Sequence, residues 1–461
     1  MPVPVPIAVG LELARALGGV ALAPARAALY LARRPRWEAE VQSDLARPVP
    51  ELERTSLPPC APSAATEAPL RIFLSCAEHS GELHGANLID ALTAECAARG
   101  LAPPEVHGLG GPALTERGMH AIANPGARAA MGFDGVVKAL PYYLRLLTDT
   151  TRHIRKWRPD VVVPVDSPAL HVPLARLAHG GRRRPAIVHF VTPQYWGWAP
   201  WRVRGYRRVV DLGLSILPFE APWFERHGVR VQHIGHPLLD ELASAGAEHR
   251  SAAPASGPLI LLPGSREGVV RKNLPWMLER VAALQARPEL DGLEVILPHS
   301  RTDLDPVFDE LLAASPARVE RVRGPLHEEL ARGSAAFVVS GTVVLDLLPH
   351  KLPAVVVYTL KSKLQRWMGD RLLSVPWFTS VNLLANREVH PEFAIFEGQP
   401  QAPVEDALAR ALLSTEWRAA NLAGQLEAER RLGPPGAVAR AAAAIVDQAL
   451  AARGLAPGGA A

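Results

Sequence analysis

Cysteine is scarce in this sequence, since only Cys60, Cys76 and Cys96 occur among 461 residues. No two of them form a CxxC pair, and none stands at the spacing of a zinc site. The sequence therefore predicts reduced thiols in a cytosolic protein, rather than a disulfide framework or a cysteine metal site.

An excess of one charge sign is also missing. Lys and Arg total 50 against 46 Asp and Glu, which gives a formal net charge of +4. A protein that binds nucleic acid through charge carries a clearer basic excess, so no nucleic-acid partner is predicted. The hydrophobic fraction of 48% is enough for real cores, and the length allows two domains with additional ends.

A long, clean hydrophobic run is the third absence. Residues 7–34 are strongly apolar, but charges and helix breakers interrupt them: Glu12, Arg15, Gly18, Gly19, Pro24 and Arg26. A membrane span needs about twenty apolar residues, so no span is predicted, and no basic residue precedes the run as in a secretory signal. Arg15, Arg26 and Arg33 share one helical face, which suits an interfacial helix on anionic lipid. A broken helix pair packed on the domain surface is the alternative.

Strand and helix patterns alternate from Arg71 onward. Apolar, β-branched runs stand before and after a polar stretch at 243–257: RIFLSC, DVVVPVD, AIVHFVT, LGLSILP and RVQHIG, then LILLP, LEVILP, AAFVVS and PAVVVY. Such alternation is typical of parallel sheets covered on both faces. We therefore expect an α/β fold with two Rossmann-like, doubly wound domains that face a cleft, and ligands beyond the carboxyl ends of the strands.

These patterns also predict the domain boundaries. Residues 1–70 form an N-terminal extension whose Pro-, Ser- and Ala-rich part, 48–69, is a linker. The first Rossmann-like domain covers 71–245 and the second covers 258–404. Residues 405–461 hold helices and a loose tail, which pack back on the first domain or on a partner.

The turn Pro263-Gly264-Ser265-Arg266 follows an apolar strand and precedes an amphipathic segment. Backbone N–H groups at a helix start attract anions, and Gly264 lets the backbone approach a ligand closely. Ser265 can donate a hydrogen bond, and the guanidinium of Arg266 matches phosphate. Because the lysine of a P-loop is missing, the turn predicts a phosphate or diphosphate site without the usual ATPase apparatus. An ordinary βα loop with a surface arginine is the alternative.

Two strand ends in the first half carry acidic groups. RIFLSC leads to Ser80 and Glu82 at a predicted helix start, where both residue types also serve as ordinary helix caps. DVVVPVD ends in Asp166, and a carboxylate at a strand tip is well placed for a general base. A turn-forming aspartate before Ser167-Pro168 is the alternative.

Two further clusters follow other strands. TPQYWGWAPWRVRGYRR combines aromatic side chains, which can stack on sugars and bases, with basic side chains, which can bind phosphate. Packing of the aromatic side chains in the hydrophobic core between helices is the alternative. In SGTVVLDLL the small residues Ser340, Gly341 and Thr342 open a predicted helix that can bind diphosphate. Asp346 lies one turn inside that helix, where it can accept hydrogen bonds from ribose hydroxyls.

Taken together and in order, these segments resemble the lipid-A-disaccharide synthases, a family of GT-B glycosyltransferases. The resemblance covers roughly residues 71–450 and leaves the N-terminal extension without a counterpart. The matching segments are AEHSGELHGANLI, GLGGPALTERGM, MGFDGVVKAL, RPDVVVPVDSPAL, VTPQYWGWAPWRV, LPFE, IGHPLLDEL, LLPGSR, SGTVVLDLL and VNLLANRE.

The resemblance implies an inverting, metal-independent transfer without a cofactor. The donor would be UDP-2,3-diacylglucosamine, the acceptor 2,3-diacylglucosamine 1-phosphate (lipid X), and the product the β-1,6 disaccharide of lipid A. Another GT-B transferase, a UDP-sugar epimerase and a non-catalytic lipid- or nucleotide-binding homologue are the alternatives.

The resemblance also implies roles for individual residues. Asp166 matches the family's proposed base, and Arg266 and Asn382 match residues important for donor handling. Gly264, Ser265 and the turn 340–342 would then hold the diphosphate. Three positions depart from the family pattern, because Glu82 replaces aspartate, Asp346 replaces glutamate and Asn386 replaces glycine. Asparagine tolerates left-handed backbone better than most residues.

Both implied substrates are acylated, so we expect a peripheral protein on the inner face of the cytoplasmic membrane, with a homodimer as a possible assembly. A predicted helix at 139–157 is one candidate contact: it places Leu140, Leu144, Leu147 and Ile154 on one side and includes Arg145, Arg152, Arg155 and Lys156. Packing of this helix on its own sheet is the alternative. The N-terminal extension is the other candidate.

Overall fold

The computed structural model describes residues 3–49, 52, 68–126, 133–244, 251–360, 363–395 and 402–455. Most of the predicted linker, part of the stretch 243–257, Cys60 and the final tail lie outside this range. The chain forms two compact units, Met1–Asp240 with Pro434–Ala461 and Glu241–Gly433. The extension and the last helix therefore both belong to the first unit.

Unit 1 contains a parallel sheet with helices on its faces. Its elements in chain order are α1 (Val5–Ala21), α2 (Ala23–Leu45), β1 (Arg71–Cys76), α3 (His79–Ala98), β2 (Glu105–Leu109), α4 (Pro112–Thr115), β3 (His120–Ala123), α5 (Phe133–Trp157), β4 (Val161–Val165), α6 (Pro168–His179), β5 (Ala186–Phe190), a 3-10 turn (Pro200–Arg202), α7 (Val203–Tyr206), β6 (Leu212–Ser215), α8 (Glu220–Arg226) and β7 (Val231–His233), and the next helix, α9 (Pro237–Ser244), contains the boundary between the two units.

The strands of unit 1 are ordered β3-β2-β1-β4-β5-β6-β7. The inner strands are buried on both faces, as the continuous valine run Val161–Val163 in β4 predicts. Gly108 in β2 lies so close to β1 that a Cβ atom there would be 1.7 Å from the carbonyl oxygen of Leu74. Only glycine fits that position. The strand order reverses at β1 and β4, whose carboxyl ends are adjacent.

Unit 2 repeats the same plan with six strands. Its elements are β8 (Leu259–Leu262), α10 (Glu267–Gln285), a 3-10 turn (Pro288–Leu290), β9 (Val295–His299), a 3-10 turn (Thr302–Leu304), α11 (Asp305–Ala313), β10 (Glu320–Arg323), α12 (Leu326–Arg332), β11 (Ala335–Val339), α13 (Val343–Asp346), β12 (Ala354–Thr359), α14 (Lys363–Leu372), α15 (Ser380–Ala385), β13 (Glu392–Ile395), α16 (Ala402–Leu413) and α17 (Thr415–Leu432). The strand order is β10-β9-β8-β11-β12-β13, and the reversal lies at β8 and β11. The predicted doubly wound α/β architecture is thus confirmed for each unit.

The last helix, α18 (Ala437–Ala452), returns to unit 1 and packs on α3. It is alanine-rich, so its small side chains allow a close approach, and they are buried together with Ile445 and Val446 in the core under the sheet. The carboxylate of Asp240 accepts hydrogen bonds from the backbone N–H groups of Gly436 and Val438 at the start of this helix.

The extension forms two helices that pack on unit 1. Helices α1 and α2 meet at a bend of 56°. α1 contacts α5 and α6, and α2 contacts α8. Within the described ranges, no helix alone has the length and apolar composition needed to cross a membrane, although the bent pair meets these criteria when its two helices are taken together.

Candidate active site

Asp166 lies at the point of unit 1 where the strand order reverses. Cys76 at the end of β1 pairs with Val165 at the end of β4, so the loops that follow both strands leave the same edge of the sheet. Open α/β sheets bind their ligands at this place. Asp166 and Ser167 have φ values of 49° and 45°, a left-handed pair that breaks the strand before Pro168. Such backbone strain persists only where neighbouring groups hold it.

Two histidines hold this left-handed turn. Nδ1 of His171 lies 2.6 Å from the carbonyl oxygen of Asp166, and Nε2 of His189 lies 2.9 Å from the same oxygen. Both nitrogens must donate, because a carbonyl only accepts. The other ring nitrogen of His171, Nε2, then accepts from the hydroxyl of Ser75 at 2.9 Å. The base candidate is therefore fixed through its main chain, and its carboxylate stays available.

Both histidines are neutral. Burial lowers the pKa of His171 to about 4 and that of His189 to about 3, although the Asp166 carbonyl opposes the shift in each case. Neutral imidazoles in this position donate a hydrogen bond without placing a positive charge beside the carboxylate. The basicity of Asp166 is therefore preserved.

The Asp166 carboxylate has a raised pKa. The residue is exposed at the sheet edge, but protein atoms surround its carboxyl group closely, and the loss of hydration is the main cause of the shift. The negative charge of Glu78 raises the pKa further, while a hydrogen bond from the N–H of Ser167 and the nearby His84 lower it. A more basic carboxylate is a better proton acceptor near neutral pH.

Glu82 lies in the first turn of α3 and is buried. Its carboxylate oxygens approach the loops after β2 and β3, since Cβ atoms built on Gly111 and Gly126 would lie 2.5 Å and 3.1 Å from Oε1. The structure thus places Glu82 at the start of the helix that follows β1 and Asp166 in the loop that follows β4, two neighbouring strands of the sheet. The side chain of Ser80 lies outside the described residues, so its predicted role in binding stays a prediction.

Glu220, from the LPFE segment, organises the aromatic loop that follows β5. Its buried carboxylate accepts hydrogen bonds from the indole N–H of Trp196 at 2.9 Å and from the hydroxyl of Thr192 at 3.2 Å. It also accepts hydrogen bonds from the backbone N–H groups of Ile216 and Leu217. Burial raises its pKa to about 7. Tyr195 and Trp196 of the loop are buried, whereas Trp198 is 48% exposed, so the cluster is partly core and partly surface.

In unit 2 the turn Pro263-Gly264-Ser265-Arg266 connects β8 to α10. Gly264 has a φ of 115°, and a Cβ atom there would lie 2.5 Å from Cγ1 of Val269, so no other residue fits without a shift. Ser265 and Arg266 are exposed. Arg266 is the N-cap residue of the 19-residue helix α10, and among the described side chains none caps this helix start. The helix start therefore has the backbone geometry that binds anions.

The turn Ser340-Gly341-Thr342 follows β11, the direct neighbour of β8 in the sheet. The two turns therefore leave the same edge at the point where the strand order of unit 2 reverses. The helix expected after Thr342 is only four residues long, which weakens the predicted helix-start contribution to diphosphate binding. Asp346 at its end is half-buried, and burial, with a smaller effect of Glu241, raises its pKa to about 7.

Asn382 faces into the protein. Its Oδ1 atom accepts hydrogen bonds from the backbone N–H groups of Val389, at 2.8 Å, and His390, at 2.9 Å. Its Nδ2 atom donates a hydrogen bond to the carbonyl oxygen of His390 at 2.8 Å. Its side chain is fully buried, so in this structure it shapes the loop 386–391 and presents no free group to a ligand. Asn386, which stands where the resembled family has glycine, has a φ of 50°, as expected for an asparagine that tolerates left-handed backbone.

Five residues around Asp166 and the neighbouring aromatic loop of unit 1 were not predicted from the sequence. Glu78, His84, His171, His189 and Glu220 all act on Asp166 or on the loop beside it. A histidine inside the otherwise apolar strand AIVHF was the available signal, because a buried histidine needs a hydrogen-bond partner. Across the described residues there is no group of three or more His, Cys, Asp or Glu side chains arranged to hold a metal ion.

Comparison with known proteins identifies the family. The sequence model of the Lipid-A-disaccharide synthetase family matches residues 72–432. The lipid-A-disaccharide synthase of Myxococcus xanthus is 32% identical over 386 residues, which cover 82% of this chain and 97% of the relative. The lipid-A-disaccharide synthase of Alkalilimnicola ehrlichii is 33% identical over 393 residues, 82% of this chain and 98% of the relative.

The chain belongs to the lipid-A-disaccharide synthase family.

Membership in this family confirms the predicted glycosyltransferase class. The fold is also similar to that of the S. aureus MnaA–UDP co-structure, with a TM-score of 0.53 at 14% identity over 85% of this chain and 99% of that chain. At this identity the likeness concerns the fold alone, and it agrees with the predicted GT-B fold. Helices α1 and α2 precede the region that the family model matches.

Proposed function

We propose that the protein transfers 2,3-diacylglucosamine from UDP to the 6-hydroxyl of 2,3-diacylglucosamine 1-phosphate. The product is the β-1,6 disaccharide of lipid A, and UDP leaves. The observation that carries this proposal is the placement of Asp166. In a chain of this family, an accessible carboxylate with a raised pKa lies at the ligand-binding edge of unit 1, and two neutral histidines hold its main chain.

Asp166 is assigned the role of general base. The carboxylate takes the proton of the acceptor 6-hydroxyl while that oxygen attacks the anomeric carbon of the donor sugar. The bond between the anomeric carbon and the diphosphate oxygen breaks, and its electron pair leaves with UDP. Attack opposite to the leaving group inverts the configuration at the anomeric carbon.

The turn 263–266 is assigned to the donor diphosphate. Negative charge develops on the diphosphate as the bond breaks, and the backbone N–H groups at the start of α10 and the guanidinium of Arg266 stabilise it. Gly264, Ser265 and the neighbouring turn 340–342 line the same sheet edge. Asp346 is the candidate for the ribose hydroxyls. Asn382 contributes through the loop that it orders rather than by direct contact.

Both substrates carry acyl chains, so the protein is expected to work at the inner surface of the cytoplasmic membrane. The helix predicted at 139–157 corresponds to α5. Ile154 is buried and Leu144 and Leu147 are half-buried, whereas Leu140 is 37% exposed. Because α1 packs on α5, the extension shields part of this helix. A homodimer stays a prediction.

The proposal is tested by incubating the purified protein with both substrates in excess EDTA and following the products by mass. The expected result is the disaccharide 1-phosphate with one UDP per product, formed only when donor and acceptor are both present. Conversion of the UDP-sugar without the acceptor would indicate an epimerase. Binding of the donor without any turnover would indicate a non-catalytic homologue. Either result would contradict the proposal.

A further inference from the structure

The helix pair α1–α2 presents an apolar face to solvent. Six large apolar side chains of the pair are each more than half exposed: Ile7, Leu11, Leu17, Val20, Leu22 and Leu29. Gly10 and Ala14 are also exposed and lie among the first three on the outward side of α1. Ile7, Leu11 and Leu17 share one side of α1 by helical spacing, and exposed large apolar side chains grouped in this way mark an interaction surface.

This face has a fixed orientation, because buried polar contacts hold the pair on unit 1. The buried carboxylate of Glu12 in α1 binds Arg176 of α6 as well as Arg15. At the other end, the buried carboxylate of Asp44 in α2 accepts a hydrogen bond from Arg226 at 2.7 Å. The pair is therefore attached to unit 1 near both of its ends, and in this structure both helices lie on the surface of the unit.

Arginines continue the apolar face along α2. Leu22, Arg26, Leu29, Arg33 and Arg36 follow each other at helical spacing on one side of the helix, and all five are exposed. The stripe thus contains two leucines and three arginines and ends in two arginines. Such a pattern suits a helix that lies in the plane of a membrane interface.

The arginine end of the stripe borders a cavity of about 400 Å³. Five arginines line it together with two tryptophans and one acidic side chain, Glu225; the arginines are Arg33, Arg36, Arg204, Arg207 and Arg226. Arg36 also pairs with Glu40 at 2.9 Å. The guanidinium groups outnumber the carboxylates, so the cavity matches the phosphate of an anionic headgroup.

We propose that α1–α2 is a docking surface for an anionic lipid bilayer. The apolar face enters the boundary between headgroups and acyl chains, and the arginine cavity receives lipid phosphate. A lipid interface is the partner of this chemistry because it offers an apolar and an anionic layer side by side. The inference does not depend on the transfer reaction, since the pair precedes the region matched by the family.

The test is flotation of the full chain with vesicles of phosphatidylcholine, alone or mixed with phosphatidylglycerol, at low and high salt. One variant carries Ile7→Ser, Leu11→Ser and Leu17→Ser, and its control carries Leu413→Ser and Leu426→Ser, two leucines of unit 2 with 50% and 45% exposure. A second variant carries Arg33→Gln and Arg36→Gln, and its control carries Arg318→Gln and Arg410→Gln, two exposed arginines of unit 2.

The apolar variant is expected to lose at least about ten-fold in binding to both vesicle types, because it removes large apolar side chains from the interface. The arginine variant is expected to lose about thirty-fold on anionic vesicles at low salt only, since one basic residue near an anionic surface contributes about five-fold. Both controls should bind like the unchanged protein. Transfer measured on detergent-dispersed substrates should stay unchanged, so a failure of that reaction would concern the proposed function and not this surface.

Four results would overturn the proposal. Unchanged vesicle binding by both variants would show that α1–α2 is not the docking surface. A change from dimer to monomer in the apolar variant, without loss of vesicle binding, would assign the face to a second copy of the chain. Resistance of the bound protein to alkaline carbonate would indicate a spanning pair. Displacement by inorganic phosphate at constant ionic strength would indicate a site for the free anion.

Discussion

Nδ1 of His171 lies 2.6 Å from the carbonyl oxygen of Asp166, so a neutral imidazole donates to the main chain of the candidate base. Loss of this donor should release the left-handed turn and misplace the carboxylate. We expect His171→Phe to lower kcat about ten- to a hundred-fold, because small misplacement of a catalytic group is costly. The KM for the donor should change little, since the donor diphosphate is assigned to unit 2.

His171→Asn is the matched control, because its amide nitrogen can replace Nδ1 as the donor. It should recover much of kcat, whereas a role in packing alone would make both variants equally active once their folding is equal. His189→Gln and His189→Phe form the equivalent pair for the second histidine, whose Nε2 atom donates. Thermal unfolding of each variant shows whether the fold is retained.

Glu78 is expected to contribute to the pH dependence of the reaction, because its negative charge adds to the effect of burial on the pKa of Asp166. Asp166 acts as a carboxylate, so kcat/KM should rise with pH through its pKa, which burial and the charge of Glu78 place above the ordinary aspartate value. Glu78→Gln removes the repulsion from Glu78 and should therefore move the acidic limb of the pH profile to lower pH. Glu116→Gln, an exposed change in the same unit, is the control and should leave the limb in place. An unmoved limb in Glu78→Gln would show that another group titrates there.

Gly264 is required for the shape of the diphosphate turn. Gly264→Ala must place a Cβ atom 2.5 Å from Cγ1 of Val269 at a φ of 115°. Strain of this kind costs of order 1–3 kcal/mol, so UDP affinity should fall about five- to a hundred-fold by calorimetry. Gly268→Ala, in the first turn of the same helix, meets no atom within 4 Å and should bind UDP normally. Equal UDP affinity in the two variants would show that the turn 263–266 does not bind the donor.

Asn382 is expected to act through stability. Asn382→Ala leaves the N–H groups of Val389 and His390 without their acceptor, and each unsatisfied buried group costs about 1–3 kcal/mol. Denaturant unfolding should therefore show a loss of about 2–6 kcal/mol, and donor affinity should fall with it. Asn386→Gly, at the left-handed position of the same loop, is the control and should change stability by less than about 1 kcal/mol. Unchanged stability together with lost donor binding would instead indicate direct contact by Asn382.

The sequence was sufficient to predict the sheets, because strands buried on both faces leave continuous apolar runs such as Val161–Val163. It also predicted which loops carry polar groups, since strand ends and glycine turns are local features. The strand order, which brings Glu82 and Asp166 to the same sheet edge, depends on pairing between distant segments and could be predicted only through the family resemblance.

The supporting groups were harder to predict for the same physical reason. His189 reaches the Asp166 carbonyl across 23 residues of sequence, and nothing local shows that contact. The inward orientation of Asn382 depends on the path of the chain up to residue 390. Asp346 was predicted to lie one turn inside the helix that follows Thr342, whereas this helix, α13, ends at Asp346.

The most direct test of the proposed mechanism is the turnover of Asp166→Asn, measured beside its affinity for UDP. The substitution keeps the size of the side chain but removes the proton acceptor at the edge of unit 1. Loss of a general base typically costs about a hundred- to ten-thousand-fold, and kcat should fall within that range while UDP affinity stays within about two-fold. Turnover like that of the unchanged protein would contradict the assignment of Asp166 as the base.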